Sequence, residues 1–299
     1  MDILVTGSEG LLGRVVVQCL SRSHRLYAIT RRAHSPIISN VTWLRHDLTH
    51  PCLPDELPER MDAVVHLAQS PYFREFPERA REIYEVSVGS TLRLLDWARS
   101  SGVSTFVYAS SGGIYGHGEQ GFKEDDNVVS PKGPLGFYFS AKQCAELLIE
   151  NYAACFNVVI LRPFFIYGAG QRPAMLVPRL VRSVATGRHV TLSGPEGMHL
   201  NPIHVSDAAH AVAATLSLQE SHKINVAGPE VLTLKSMCDL IGTSVGRTPR
   251  YAIEVNEHPK HLVGDIDKMS RLLIRPTVPF SRGVIDLCKE VLDEGIETR

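Results

Sequence analysis

The sequence lacks several things, and each lack removes a class of protein. It has no excess of charge: 31 basic and 32 acidic side chains leave a formal charge of −1 over 299 residues. A chain so balanced carries no broad basic field for nucleic acid and no acidic disordered tail. It has no run of about 18 consecutive apolar residues, so no membrane span is expected. No two of its six cysteines stand at the C-x-x-C spacing of a zinc or redox site; Cys19, Cys52, Cys144, Cys155, Cys238 and Cys288 are scattered. Residues 1–5 are too short an apolar stretch before Gly7 to read as a secretory leader. Together these absences predict a cytoplasmic protein whose cysteines behave as small hydrophobes.

What is present is an ordinary globular composition, 44% apolar and 21% charged. The length suggests two domains, or one large α/β domain with an appendage, and suffices for a core without disulfides or metal. Apolar runs at 3–5, 26–29, 41–44, 63–68, 105–109 and 158–161 read as strands. The run at 63–68 is continuously apolar but for His66, as a strand covered on both faces should be. Helical patterns fall between them, over residues 11–20, 78–100 and 141–155. The second of these carries Ile83, Val86, Leu92, Leu95 and Trp97 and ends at Gly102. This alternation predicts an α/β fold with a doubly wound parallel sheet. Gly, Pro and Arg cluster over 168–173, which marks a domain boundary. Residues 1–170 are expected to form a first domain, to which the chain returns around 203–228. Residues 171–202 and 229–299 are expected to form a smaller substrate-binding domain.

Gly7, Gly10 and Gly13 stand at G-x-x-G-x-x-G spacing where the first strand meets the first helix. Glycines there allow a tight turn and a close approach to a pyrophosphate, whose charge meets the free N–H groups of Gly10, Leu11, Leu12 and Gly13. The alternative is an ordinary strand-to-helix turn, but strand, loop and helix occur in the order that a Rossmann-type dinucleotide domain needs. The second strand ends in Thr30-Arg31-Arg32, with no carboxylate after it until Asp47. Arg31 and Arg32 favour the 2′-phosphate of NADP; as solvated loop arginines they would equally permit NAD. Asp47, with Leu48 beside it, is placed for the adenine rather than the ribose.

Tyr138 and Lys142 stand four apart at the start of the helix that follows Pro134, and so share a helical face. A lysine ammonium beside a phenol lowers its pKa and makes Tyr138 a usable acid or base near neutrality. Upstream, Ser110-Ser111-Gly112-Gly113 ends the fifth strand, on the edge where open parallel sheets bind ligands.

In this order the motifs resemble an extended short-chain dehydrogenase/reductase of the NAD-dependent epimerase/dehydratase type. The resemblance rests on residues 6–13, His66-Leu67-Ala68, residues 110–116 and Tyr138 to Lys142. It continues through residues 161–168, Ile203-His204-Val205-Ser206-Asp207 and Ile224-Asn225-Val226-Ala227-Gly228. It implies Tyr138 as general acid/base, Lys142 on the nicotinamide ribose, and Ser111 on the reacting oxygen. It further implies that backbone at Leu67, Ala68 and Pro163 lines the cofactor, and that the protein is a homodimer joined through helices near 78–100 and 140–154.

The departures from the family narrow the reaction. Family dehydratases carry an acidic pair after the catalytic hydroxyl, where this chain has Gly112 and Gly113. The long helix has Ser87 where the family has an asparagine on a water-linked proton path. Phe165 replaces an asparagine that holds substrate. An arginine that clamps the sugar-nucleotide diphosphate is missing near His199, and a second is replaced within residues 258–261. A lysine or histidine there lacks the bidentate guanidinium fork; Arg172 or Arg179 would compensate. His199, His204 and His210, with only Asp207 nearby, do not make a metal site, and none is expected. The reading is an NAD(P)-dependent epimerase of a sugar hydroxyl or ketone, on a nucleotide sugar, with Ser111, Gly112, Phe165, Arg172 and His199 toward substrate. A ketoreductase using NADPH and a non-catalytic dinucleotide sensor are the alternatives.

Overall fold

Ile3, Leu4 and Val5 are wholly buried, because the strand that holds them has neighbours on both edges and helices on both faces. It is β1 (Asp2–Thr6), followed by α1 (Leu11–Leu20), β2 (Arg25–Thr30), β3 (Val41–Arg45) and β4 (Ala63–His66). Then come α2 (Ala80–Tyr84), α3 (Ser90–Ser100), β5 (Thr105–Ala109), α4 (Gly136–Asn151), β6 (Asn157–Pro163) and β7 (Ile166–Tyr167). Beyond them lie α5 (Leu176–Thr186), β8 (His189–Ser193), β9 (His199–Leu200), β10 (Ile203–His204), α6 (Val205–Thr215) and β11 (His222–Val226). The remaining elements are β12 (Leu232–Thr233), α7 (Leu234–Val245), β13 (Arg250–Glu254), α8 (Asp267–Leu272) and α9 (Phe280–Asp293). The computed structural model describes residues 1–33, 36–51, 53, 56–129, 132–255 and 260–293. Cys52 and the pair His258-Pro259 fall outside them.

Seven strands form one parallel sheet in the order β11-β6-β5-β4-β1-β2-β3. The winding reverses at β1, which pairs with β2 on one edge and β4 on the other. That reversal opens a crevice at the strands' C-terminal ends, where parallel sheets bind ligands. One face of the sheet is covered by α1 and α6, through Val16, Val17, Ala208 and Val212. The other is covered by α3 and α4, through Leu94, Leu95, Ala145 and Ile149. A third core gathers α5, α7, α9 and β8 around Val181, Val184, Leu192, Met237, Ile241 and Leu287. Val177, Leu180, Val181 and Val184 form the buried stripe of α5, at the spacing an amphipathic helix needs.

The α/β fold and parallel sheet are as the sequence predicts; β11 pairs with β6 at the sheet's edge. The details differ in three places. The strand read at 63–68 stops at His66; from there the Ala68 amide turns to donate to Thr6 Oγ1 at 3.2 Å. The helix read over 78–100 is divided by a π-helical turn at Glu85–Gly89. Beyond that turn the buried face runs through Thr91, Leu94, Leu95 and Ala98, while Leu92, read as one of its apolar positions, is exposed. Finally, the helical pattern read over 141–155 corresponds to α4 over Gly136–Asn151, with Tyr138 and Lys142 on its first two turns, at the start of the helix after Pro134 as read.

Candidate active site

The first turn after β1 is built for a ligand. Gly7 has φ +65°, and a Cβ on it would stand 2.6 Å from the Leu67 carbonyl carbon. A Cβ on Gly13 would overlap the Gly7 carbonyl. Only hydrogen at these positions lets loop, helix and the β4 end meet. Gly10 caps α1 with no side-chain hydrogen bond, which leaves the helix's first N–H groups to a ligand.

A cavity of about 1370 Å³ runs from this loop along the C-terminal ends of the strands. Ligand pockets for a single drug-sized molecule hold about 300–1,000 Å³, so this one has room for two ligands end to end. Every residue read as cofactor-binding lines it: Gly7, Gly10, Leu11, Leu12 and Gly13 at the loop, and Arg31, Arg32, Asp47 and Leu48 at one end. Leu67, Ala68, Pro163, Tyr138 and Lys142 line it toward the other. The glycine cradle and uncapped helix start thus fit a dinucleotide.

At the β2 end the two arginines are not alone. Thr30 Oγ1 donates to Glu9 Oε2, and Arg32 Nε lies 3.2 Å from Glu9 Oε1. Burial opposes the charge on Asp47, yet hydrogen bonds from Thr49 and the charges of Arg31 and His50 hold its pKa below the usual carboxylate value. Glu9 is a residue that sequence reading missed, because its partners lie 21 and 23 positions away. Its place inside the glycine loop was the available signal.

Toward the centre, α4 delivers Tyr138 and Lys142 beside the β5 end. Lys142 is 1% exposed; its Nζ donates to the Ala109 carbonyl at 2.6 Å and sits 4.7 Å from the Tyr108 ring centroid. Burial pulls its pKa down to about 7, against the charge of Glu146, which raises it. Tyr138 donates to Gln69 Oε1 at 3.1 Å. Burial raises its pKa above the ordinary phenol value, and a hydrogen bond with Ser111 works the other way. Lys142 Nζ is 5.9 Å from the Tyr138 ring centroid, and in place of the lowering expected from the Tyr–Lys spacing it is burial that dominates the Tyr138 pKa. Ser111 Oγ accepts from the Gly113 amide at 3.2 Å and lines the same cavity, as does Gln69. A hydroxyl, a phenol and a lysine with a pKa near neutrality make a set able to exchange a proton with a ligand oxygen.

Of the residues read toward substrate, Ser111, Phe165 and Arg172 line the cavity. Gly112 and His199 do not. A Cβ on Gly112 would stand 2.5 Å from the Phe164 ring, so this glycine serves packing. His199 stacks on His261, with ring centroids 4.3 Å apart, and its amide donates to His261 Nδ1 at 2.8 Å. Arg74 and Lys132 line the cavity without having been read from sequence. His204 caps α6, accepting from the Ser206 amide, and Asp207 accepts from the amides of Thr277 and Val278 at 2.8 and 2.9 Å. Among the described residues no group of three His, Cys, Asp or Glu side chains could hold a metal. Within them, no helix is long and apolar enough to cross a membrane.

Comparison with known proteins agrees with this geometry. Over 295 residues the chain is 27% identical to a Bacillus subtilis (strain 168) protein named uncharacterized UDP-glucose epimerase YtcB, covering 91% of this chain and 92% of that one. It shares the fold of a Bacillus cereus UDP-glucuronic acid 4-epimerase solved with UDP-glucuronic acid and NAD. There the TM-score is 0.82 at 23% identity, over 98% of this chain and 100% of that one. The Thermus thermophilus UDP-glucose 4-epimerase in complex with NAD gives 0.79 at 25% identity, over 98% and 99%. Residues 3–227, from β1 to just past β11, match the family model. The span takes in the glycine cradle, Ser111, Tyr138 and Lys142, and by it the chain belongs to the NAD dependent epimerase/dehydratase family, as an enzyme of the extended short-chain dehydrogenase/reductase type.

Proposed function

We propose that this enzyme epimerises a nucleotide-linked sugar, with Tyr138 moving the proton of one sugar hydroxyl. The observation that carries the reading is the meeting of Ser111, Tyr138 and Lys142 on the wall of the cavity that begins at the glycine loop. A nicotinamide dinucleotide, when bound, supplies a hydride acceptor and donor, and in its oxidised form a positive ring charge. The loop amides at Leu11, Leu12 and Gly13 hold its pyrophosphate, and Lys142 reaches its ribose. Ser111 fixes the reacting oxygen and Tyr138 takes or returns its proton. Burial brings the Lys142 pKa down to about 7, within range of proton exchange near neutrality, and its protonated form supplies the charge that a buried phenolate lacks.

Three further features support the substrate class and the reaction. Arg74 donates to the Ala174 carbonyl at 3.4 Å and Arg172 to the Pro71 carbonyl at 3.3 Å. Neither has a carboxylate partner among the described residues, and both face the cavity, where a diphosphate is the complementary anion. Next to Ser111, Gly112 and Gly113 pack against the rings of Phe164 and Phe139, leaving no carboxylate to eliminate water. The separate core around α5, α7 and α9 suits a substrate domain of residues 171–202 and 229–299 beside a cofactor domain of 1–170 and 203–228. Tyr84, Leu92 and Leu147 are exposed on α2, α3 and α4, the helices through which a homodimer would form.

Incubation with UDP-glucose or UDP-glucuronic acid and a catalytic amount of oxidised cofactor tests this, with the C4 epimers resolved by NMR. Interconversion without net cofactor consumption is expected, falling ~10²–10⁴-fold in Tyr138→Phe. In a parallel incubation with NADPH and a 4-keto nucleotide sugar, stoichiometric NADPH oxidation without epimerisation in the first assay would instead make the enzyme a reductase. Unchanged turnover in Tyr138→Phe would remove the tyrosine from the reaction.

A further inference from the structure

We propose that Glu9, inside the glycine loop, is the residue that selects the cofactor, and that it selects NAD by occupying the position a 2′-phosphate would need. The geometry is specific. Glu9 stands one residue before the glycine that caps α1, and its carboxylate reaches back to the end of β2. Oε2 is fixed by the Thr30 hydroxyl and Oε1 faces Arg32 Nε at 3.2 Å. Thr30 is buried and its Oγ1 also accepts from the Arg32 amide at 3.0 Å, so the threonine locks both the carboxylate and the arginine's backbone. The Glu9 side chain is 20% exposed against 69% for Arg32; the carboxylate is the inner member of the pair and the guanidinium the outer.

The carboxylate is thus the fixed member of the pair, held in place on the cavity wall by Thr30. Glu9, Thr30, Arg31, Arg32 and Asp47 all line the cavity at this end. Arg32 is matched by Glu9, and Arg31 lies close enough to Asp47 to stabilise its charge. Arg32 is thus ion-paired with Glu9, whereas Arg31 acts on Asp47 only through space. His46 and His50 lie near Asp47, and Arg93, paired with Glu85, donates to the Leu48 carbonyl at 2.7 Å. A ribose 2′-hydroxyl donates to a carboxylate with lone pairs to spare. A 2′-phosphate brings about two negative charges against that same carboxylate and must first draw Arg32 away from it. Of the two arginines that favour NADP when read from sequence, Arg32 is in the fold already paired with Glu9.

The inference does not depend on the substrate reading, since its test needs no sugar. Purified protein, stripped of any bound nucleotide, is titrated with NADH and NADPH by nicotinamide fluorescence and calorimetry. NADH is expected to bind at least ~10-fold more tightly than NADPH, and Glu9→Gln to shrink that ratio by ~10-fold or more, chiefly by strengthening NADPH. Arg32→Ala, with Glu9 intact, is expected to leave NADH preferred; it serves as a second arm should Glu9→Gln fold poorly. NADPH binding that is tighter than NADH in the unaltered protein and lost in Arg32→Ala would overturn the proposal. So would a NADH-to-NADPH ratio unmoved in folded Glu9→Gln.

Discussion

Beneath the cavity floor lies a buried ion pair whose removal has a calculable cost. Arg162 and Glu146 are 3% and 4% exposed, and the guanidinium grips the carboxylate twice, Nε to Oε1 at 3.1 Å and a terminal nitrogen to Oε2 at 2.6 Å. Its other terminal nitrogen donates to Tyr115 Oη at 2.6 Å and to the Glu124 carbonyl at 3.0 Å. Tyr115 in turn donates to Asn225 Oδ1 at 2.9 Å, so the network ties α4, β6 and β11 together. Glu146→Leu leaves the Arg162 charge buried without its counter-ion, which costs about 3–5 kcal/mol. At about 2.1 cal/mol/K of unfolding entropy per residue, a chain of 299 residues loses roughly 5–8 °C in Tm. Arg162→Leu strands Glu146 and is expected to cost as much. The double variant leaves neither charge alone and should recover at least half of the summed loss in a denaturant-unfolding cycle. A single-variant cost below about 1 kcal/mol, or a double variant as unstable as the sum of the two, would refute the reasoning. The pair also reaches the site: Glu146 sits one turn beyond Lys142 and raises its pKa. Glu146→Gln should therefore move any activity limb governed by Lys142 to lower pH, while Arg162→Leu, which keeps the carboxylate, should not.

Three other outcomes follow from single contacts. Gly13→Ala places a methyl against the Gly7 carbonyl, and should weaken dinucleotide binding more than ~10-fold by calorimetry with far-ultraviolet circular dichroism unchanged. His66 is wholly buried between Thr6 and Thr91, at 2.6 and 3.0 Å, and burial, with a smaller effect from Lys142, pulls its pKa from 6.5 to about 3. The unfolded chain then binds the proton that the folded one refuses, so stability present above pH 6.5 is lost as pH falls toward 3, by up to about 1.4 kcal/mol per pH unit. His66→Gln should flatten that slope in urea midpoints between pH 4 and 7; an unchanged slope would mean that other groups produce it. Leu147 is 64% exposed on α4, and if the homodimer forms there, Leu147→Glu should yield monomers by light scattering without loss of Tm.

How far the sequence could be read depended on the range of the contacts. The strands at 3–5, 26–29 and 105–109 were legible because burial on both faces imposes apolar runs, and the glycine loop because its turn forbids side chains at Gly7 and Gly13. Tyr138 and Lys142 were legible because their relation is local to one helix. The Glu9–Arg32 pair, the His199–His261 stack and the Gly112–Phe164 contact join residues 23, 62 and 52 positions apart. No periodicity records such meetings. The pKa of Tyr138 was misjudged for the same reason: sequence spacing shows the nearby lysine, while the burial that dominates comes from neighbours brought in by folding.

The departures on the substrate side take on a different meaning once the side chains are placed. At His199, where the resemblance would place an arginine, the ring lies against His261 and the backbone amide donates to His261 Nδ1, and the residue does not line the cavity. The positive charge comes instead from the opposite rim. Arg172 there donates to the segment that carries Arg74, and Arg74 donates back to the segment that carries Arg172. Burial and the charge of Arg179 on α5 both depress the Arg74 pKa, a repulsion that an anion beside Arg74 would relieve. A protein folded for stability alone gains nothing from holding such charges together beside an open cavity. Arg74 and Arg172 therefore leave positive charge on the cavity wall that no carboxylate among the described residues pairs with.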